Sequence, residues 1–190
     1  MSERLNLREF ERHLSERLLA VQQRRDDEQA LLEIESGAED LPGGRHWLVA
    51  PSQAGEIAPL PPLLPVPLTQ SWFAGIANVR GALYGVVDFA AWRGGAPTPR
   101  TAQARLLLIG ARDGNHHALL VERALGLRAM DRLRDAAGAE DAAAPARRRV
   151  DMNTAWRGTV LVADDGARWT RLDIPLLLVM PSYLDIARPG

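Results

Sequence analysis

The chain has 190 residues, no cysteine, and 23 arginines against 24 acidic residues, so its formal net charge at pH 7 is −1. Attraction to phosphate or anionic lipid needs a clear basic excess, so this balance argues against nucleic-acid or membrane-surface binding. The lack of cysteine excludes disulfides, thiolate nucleophiles and cysteine-bound zinc. No apolar stretch approaches the roughly 20 residues of a membrane span, and the first residues lack the order of a signal peptide. We expect a soluble cytoplasmic protein without membrane insertion.

The first predicted element is an amphipathic helix over residues 6–25. Its apolar residues recur at steps of three or four, which is the spacing of one helical face. They are Leu7, Phe10, Leu14, Leu18 and Val21. We therefore predict an N-terminal helical extension over residues 1–28. Two roles are open for its apolar stripe, namely packing on the protein's own domain or docking of a partner.

After residue 28 the apolar pattern changes to a period of two or to short continuous runs, which predicts many short strands. The predicted strands are 30–35, 45–49, 75–79, 82–87, 105–109, 117–121, 124–130, 158–162 and 169–172. Turn residues such as Arg80-Gly81 separate them. Because parallel sheets need long crossover helices that this pattern lacks, it favours small closed barrels.

Two segments depart from this strand pattern. Five prolines between residues 59 and 67 interrupt an apolar stretch, which predicts an extended connector instead of a helix or a central strand. Residues 136–149 are rich in alanine and offer little to bury, so we predict a flexible loop there.

Sequence motifs for catalysis and cofactor binding are missing. There is no glycine-rich phosphate loop and no helix with two histidines at metal-binding spacing. His116 and His117 are adjacent on a predicted strand and would point to opposite faces, so they cannot readily share a metal ion. We expect no catalytic residue, no cofactor and no metal site. Composition and periodicity alone support only a small β-rich domain with a helical extension.

Residues 66–92 carry the most specific pattern in the chain. A Val-Pro start leads through an aromatic residue and a glycine to a strand, then to Asn-x-Arg-Gly, a second strand and Val-Asp. This resembles the central signature of the CheW-like chemotaxis adaptor family. The matching residues are Val66, Pro67, Phe73, Gly75, Asn78, Arg80, Gly81, Val86, Val87 and Asp88. The resemblance extends with less strength over about 30–186, and it is most similar to the adaptors of type IV pilus (twitching) chemosensory systems.

The resemblance implies a mainly β, CheW-like fold with two small five-stranded β-barrels that share a hydrophobic core. The first barrel would come mainly from residues 44–93 and the second mainly from residues 101–186. Together they would form one CheW-like domain over residues 29–190. The sequence departs from the family pattern at Glu122, where many relatives have aspartate.

The resemblance also implies a function without enzymatic activity. Members of this family are adaptors that bind the CheW-like regulatory domain of a CheA-type histidine kinase. They also bind the cytoplasmic tip of a methyl-accepting chemoreceptor, within membrane-attached arrays. We therefore expect a cytoplasmic adaptor that is recruited to such arrays, at the cell pole in a twitching system.

The resemblance points to a small set of interface residues. Glu56 and Arg80 are expected to form an ion pair close to the receptor-facing groove, with a purely structural role in pinning the barrel loops as the alternative. Leu119 and Val121 are candidate groove residues, although whichever of them alternates inward would belong to the core.

Asn78 and Gly81 are expected to shape the turn between two strands, because glycine can adopt the positive φ that a tight turn often needs. We do not expect either residue to contact a partner directly.

Two other hypotheses remain open at this point. A small barrel that binds single-stranded nucleic acid would need aromatic residues beside a basic face. Trp156 with Arg157 and Trp169 with Arg168 offer a thin version of this, but Asp164 lies close by. A CheW-like scaffold for another polar or signalling complex cannot be distinguished from a motility adaptor by sequence.

Overall fold

The computed structural model describes residues 29–109, 116–136 and 154–187. These residues form twelve strands and a few short helices. The strands are β1 (Ala30–Glu35), β2 (His46–Val49), β3 (Glu56–Pro59), β4 (Leu63–Leu64), β5 (Phe73–Val79), β6 (Ala82–Asp88), β7 (Arg105–Ile109), β8 (His117–Val121), β9 (Arg123–Ala129), β10 (Leu133–Asp135), β11 (Arg157–Ala163) and β12 (Arg168–Leu172). The helices are α1 (Phe89–Trp92), α2 (Ile174–Leu178), α3 (Pro181–Leu184) and a 3-10 turn at Met130–Arg132.

The strands form two six-stranded sheets. The first sheet has the order β10-β11-β12-β2-β1-β9, and the second has the order β3-β7-β8-β6-β5-β4. Neighbouring strands are antiparallel except at two places, where β12 pairs with β2 and β8 pairs with β6 in parallel. The second sheet is thus one continuous stretch of chain, and the first sheet is assembled from the segments on both sides of it.

Strand alternation divides the buried residues of the described chain among three clusters. On β8, for example, Leu119 and Val121 face a core between the two sheets, whereas Ala118 and Leu120 face a core inside the second sheet. A third cluster, which includes Trp169, fills the inside of the first sheet. Each sheet therefore encloses a small core of its own and shares a larger one with its neighbour.

The expectation of a mainly β fold with a shared hydrophobic core is confirmed. Each sheet contains six strands instead of the expected five, because the very short strands β4 and β10 each add to an edge. Four strands of the second sheet lie within 44–93 and four of the first lie within 101–186. The second sheet also contains β7 and β8, and the first sheet also contains β1 and β2, so neither sheet comes from one of the two predicted ranges alone. The division into domains stays a prediction.

Two predicted segments cannot be compared with the structure. The N-terminal helix over residues 1–28 lies outside the described residues, and so does the loop over residues 136–149 apart from residue 136. Within the part of the chain that is described, no helix has the length and apolar character to cross a membrane.

Candidate functional site: the β5–β6 turn and the inter-sheet contacts

The two-residue turn between β5 and β6 has a backbone conformation that few sequences adopt. Arg80 has φ +53° and Gly81 has φ +87°, so both central residues lie in the left-handed region, as in the type I′ turns of two-residue hairpins. The side-chain oxygen of Asn78 accepts a hydrogen bond of 2.9 Å from the backbone N–H of Gly81. A Cβ at Gly81 would meet nothing within 4 Å, so the backbone angle alone requires glycine there.

Arg80 forms a two-pronged ion pair with Glu56, the first residue of β3. Its Nη1 donates to Glu56 Oε2 at 3.0 Å, and its Nη2 lies 2.8 Å from Glu56 Oε1. The two side chains are 78% and 42% exposed. An exposed pair of this kind adds only about 0–1 kcal/mol to stability. Its main effect is to hold a guanidinium in a fixed direction on the surface.

The position of this ion pair also indicates that the second sheet is curled. Strands β7 and β8 separate β3 from β6, so a flat sheet would place β3 about 14 Å from β6. Contact between Glu56 and the β5–β6 turn therefore requires the sheet to curl. Ala58 of β3 and Ala77 of β5 lie in one buried cluster, which agrees with this curvature. The ion pair lies where the two edges of the curled sheet approach each other.

The expectation that Leu119 and Val121 line a partner groove needs correction. Their exposed fractions are 0% and 1%, and both belong to the core between the two sheets. Residues that are covered on all sides cannot contact a partner without a rearrangement of that core. These two side chains therefore hold the sheets together.

Asp88, the last of the residues that match the family signature, holds the chain that follows β6. Its Oδ1 accepts hydrogen bonds from the N–H groups of Ala90 and Ala91 and so caps α1. Its carboxylate also accepts bonds of 2.7 Å from both the backbone N–H and the hydroxyl of Thr98. A buried carboxylate with four donors around it fixes the segment from residue 88 to residue 98.

Arg93 joins the two sheets, although the sequence pattern did not single it out. Its guanidinium is buried and donates to backbone carbonyl oxygens on both sides of the interface. These belong to Phe89 at 3.3 Å, Pro42 at 3.1 Å, Gly44 at 2.8 Å and also Ser36. Phe89 follows β6 of the second sheet, whereas the other three lie between β1 and β2 of the first. Arg93 thus fixes the position of one sheet relative to the other.

The aromatic neighbours of Arg93 complete this contact. Its guanidinium carbon lies 4.8 Å from the ring centres of both Trp47 and Phe89. Burial, together with the positive charge of Arg157, lowers the pKa of Arg93 to about 10. The group therefore stays charged at neutral pH, and its charge is balanced by carbonyl dipoles and aromatic faces.

Ion pairs connect the end of β1, the link between β8 and β9, and the residue before β2. Arg45 Nη2 lies 2.8 Å from Glu122 Oε2 and 3.2 Å from Glu35 Oε2. The hydrogen bond with Glu35 raises the pKa of Arg45. Glu122, which departs from the family pattern, is thus engaged within the protein.

The tryptophans of the nucleic-acid hypothesis are not available at the surface. Trp156 and Trp169 are both buried, in the shared core and in the core of the first sheet, respectively. Stacking of bases needs an open aromatic face. Neither side chain offers one, so the structure removes the main argument for that hypothesis.

Comparison with known proteins places this architecture in a family. The family model for the CheW-like domain matches residues 43–178, which contain eleven of the twelve described strands. The chain belongs to the CheW-like family. The matching region of this CheW-like protein includes the β5–β6 turn, Asp88 and Arg93.

Two individual relatives give further detail for this CheW-like chain. Protein PilI of Pseudomonas aeruginosa is 31% identical over 67 residues, and this match covers 35% of the chain but only 38% of PilI. The crystal structure of the scaffolding protein TtCheW from Thermoanaerobacter tengcongensis matches with a TM-score of 0.55 at 14% sequence identity. That match covers 77% of this chain and 84% of TtCheW. At this identity the likeness to TtCheW shows the fold alone.

Proposed function

We propose that this CheW-like chain is a non-enzymatic chemosensory adaptor, which couples methyl-accepting chemoreceptors to a CheA-type histidine kinase. The observation that carries the proposal is the family match over residues 43–178. The geometry supports it, because an adaptor that relays a change from one partner to another needs surfaces on a rigid frame. The shared core and Arg93 provide such a frame between the two sheets.

We further propose that the pathway is that of a type IV pilus, and that the protein is recruited to membrane-associated receptor arrays at the cell pole. The likeness to PilI over 67 residues supports this finer assignment. The alternative is a CheW-like scaffold for another polar or signalling complex. Deletion of the gene should abolish twitching but leave other motility intact, and an unchanged twitching zone would contradict the pilus assignment.

Within this function we assign the exposed Glu56–Arg80 pair to receptor contact. Arg80 has five N–H donors and uses two of them on Glu56, so the outer edge of its guanidinium remains available to a partner. Asn78 and Gly81 then act indirectly, because they set the turn that aims Arg80 outward.

The first prediction concerns Arg80→Glu in the full chain. Because the side chain is exposed, we expect the free energy of unfolding to change by less than about 1 kcal/mol. Affinity for a receptor tip should fall by about tenfold or more, which is the loss expected when a hydrogen-bonded charge at an interface is removed. Binding to the kinase regulatory domain should be retained. Titration calorimetry against each partner measures both affinities.

The matched control is Arg134→Glu, since Arg134 is also an exposed arginine paired with a carboxylate, here Asp164 at 3.7 Å on the first sheet. It should leave receptor binding unchanged. The double variant Glu56→Arg/Arg80→Glu restores an ion pair with its charges exchanged. If this exchange restores receptor binding, the pair only pins the loops and the site assignment is wrong. If the chain binds neither partner under any condition, the adaptor function itself is wrong.

A further inference from the structure

The first sheet ends in an edge strand with an apolar surface. Strand β9 pairs only with β1 among the described strands, so its other edge carries unpaired backbone groups. Two of its leucines are unusually open to solvent, with Leu127 67% and Leu125 46% exposed. Arg123, Arg128 and a β-bulge already discourage strand pairing along this edge, but an exposed leucine on its face still invites packing.

Leu127 extends the core between the two sheets. It lies directly opposite Leu32, which is buried in that core, so both side chains are on the same face of the sheet. Ala124, at the other end of β9, is partly buried against the same core. Leu127 therefore forms an unfinished margin of the main core, and an apolar element lying over it would complete that core, whereas Leu125 is the extra residue of a β-bulge and lies outside this alternation.

The described chain begins beside this margin. Ala30, the first residue of β1, pairs with Ala129, the last residue of β9. Residues 1–28 are therefore tethered close to Leu127, and a linker over residues 26–29 can span up to about 14 Å. A tether this short gives a segment an effective concentration in the millimolar range, so even a weak apolar contact is occupied.

The sequence of the tethered segment matches the margin in length and chemistry. In the predicted helix the apolar stripe from Leu7 to Val21 would span about 21 Å, and the seven-residue strand β9 spans about 23 Å. The acidic run at residues 26–28 is joined through residue 29 to Ala30, which pairs with the last residue of β9, and the exposed Arg132 follows that strand in the chain. We propose that residues 1–28 pack their apolar stripe over Leu127 and thereby cover this face of the edge strand β9.

This contact decides between the two roles left open for the N-terminal stripe. The stripe is then part of the protein's own fold, and the apolar face of β9 around Leu127 is covered while the segment is bound. The inference does not depend on the proposed adaptor function, because it needs neither a receptor nor a kinase.

The test is a double-mutant cycle in the full chain with Leu18→Asp and Leu127→Asp. If the two side chains share one contact, each single substitution lowers the melting temperature by about 3 °C or more, and the double variant loses little beyond the larger single effect. Leu83→Asp is the control partner, because Leu83 is a similarly exposed strand leucine on the second sheet. Its effect should add to that of Leu18→Asp. Additive effects at Leu127 as well would overturn the proposal.

A distance measurement gives a second readout. Because the chain has no cysteine, spin labels can be placed cleanly at Gln23→Cys, on the polar side of the predicted helix, and at Ala129→Cys. We expect a short, narrow distance for this pair and a long or broad one when the second label is at Arg100→Cys. A broad distribution at Ala129 would overturn the proposal. So would a distance that appears only at high protein concentration, because a second copy would then supply the segment.

Discussion

Among the described residues, Arg93 carries a buried charge whose hydrogen bonds go to backbone carbonyl oxygens instead of a carboxylate. Its hydrogen-bond acceptors are four backbone carbonyl oxygens, and two aromatic rings flank the guanidinium. The planar fork of arginine suits this arrangement, because several N–H groups diverge toward carbonyls on separate loops. A lysine ammonium could not reach all of them from one point.

We predict that Arg93→Met lowers the free energy of unfolding by about 2–4 kcal/mol, because buried carbonyls lose a charged donor. Arg93→Lys should fall between this variant and the unchanged protein. Urea denaturation measures the effect, and Arg134→Met, at an exposed arginine, should stay within about 0.5 kcal/mol. Equal stability of Arg93→Met and the control would mean that the carbonyl contacts contribute nothing.

The roles of individual residues in the site are what the sequence predicts least well. Both faces of β8 are buried, so the alternation of apolar residues leaves the groove and the core both open for Leu119 and Val121, and only their burial in the structure places them in the core. Arg93 has acceptors about 50 residues away in the chain, which leaves no local pattern to detect. The Glu56–Arg80 pair was anticipated only through the family resemblance, and the structure brings the two side chains together.

At the level of elements, the β5–β6 turn carries a residue that suits a functional role better than it suits the backbone conformation of the turn. A type I′ turn prefers Asn-Gly, because asparagine tolerates the left-handed region better than arginine does. The chain instead places an exposed arginine there with φ +53°. A residue that is poorly suited to its backbone conformation and carries an outward charge is typical of a functional position.

Arg80→Asn should therefore keep or raise the stability of the protein while it removes the charge. We expect the free energy of unfolding to change by between about 0 and +1 kcal/mol, since a better turn residue offsets the loss of an exposed ion pair. Receptor affinity should fall as it does for Arg80→Glu. Chemical denaturation and binding are measured on the same preparation, and a variant that folds and binds like the original would remove Arg80 from the interface.

The sequence predicted nine of the twelve described strands to within two residues at each end, because these strands have buried apolar runs or clear alternation. It missed β3, β4 and β10. Each of these has two to four residues and lies at a sheet edge, and β3 ends in a proline. Edge strands bury little, so their sequences carry little periodic signal, and prolines hide them further.

At the level of the whole molecule, the largest described core is the one between the two sheets. It contains sixteen of the buried residues, whereas the cores inside the second and first sheets contain nine and six. Loss of either sheet would expose this common core. The described part of the protein should therefore unfold as one unit, and not as two separate halves.

This predicts coincident thermal transitions for tryptophan fluorescence and far-ultraviolet circular dichroism. Trp47 and Trp156 report on the shared core, and Trp169 reports on the core of the first sheet. The comparison of Trp47→Phe with Trp169→Phe distinguishes their signals. Two separated midpoints would contradict a single cooperative unit.

The parallel pairing of β2 with β12 has a consequence for synthesis on the ribosome. Strand β2 is complete at residue 49, yet the neighbour that completes its pairing, β12, begins only at residue 168. The early strands must wait for more than a hundred residues of translation, about 6 to 24 seconds at ordinary bacterial rates. During that interval the nascent chain exposes Trp47 and Val49 without their final neighbours. Chaperone dependence of expression, and aggregation of chains stopped before residue 168, are the expected signs of this delay.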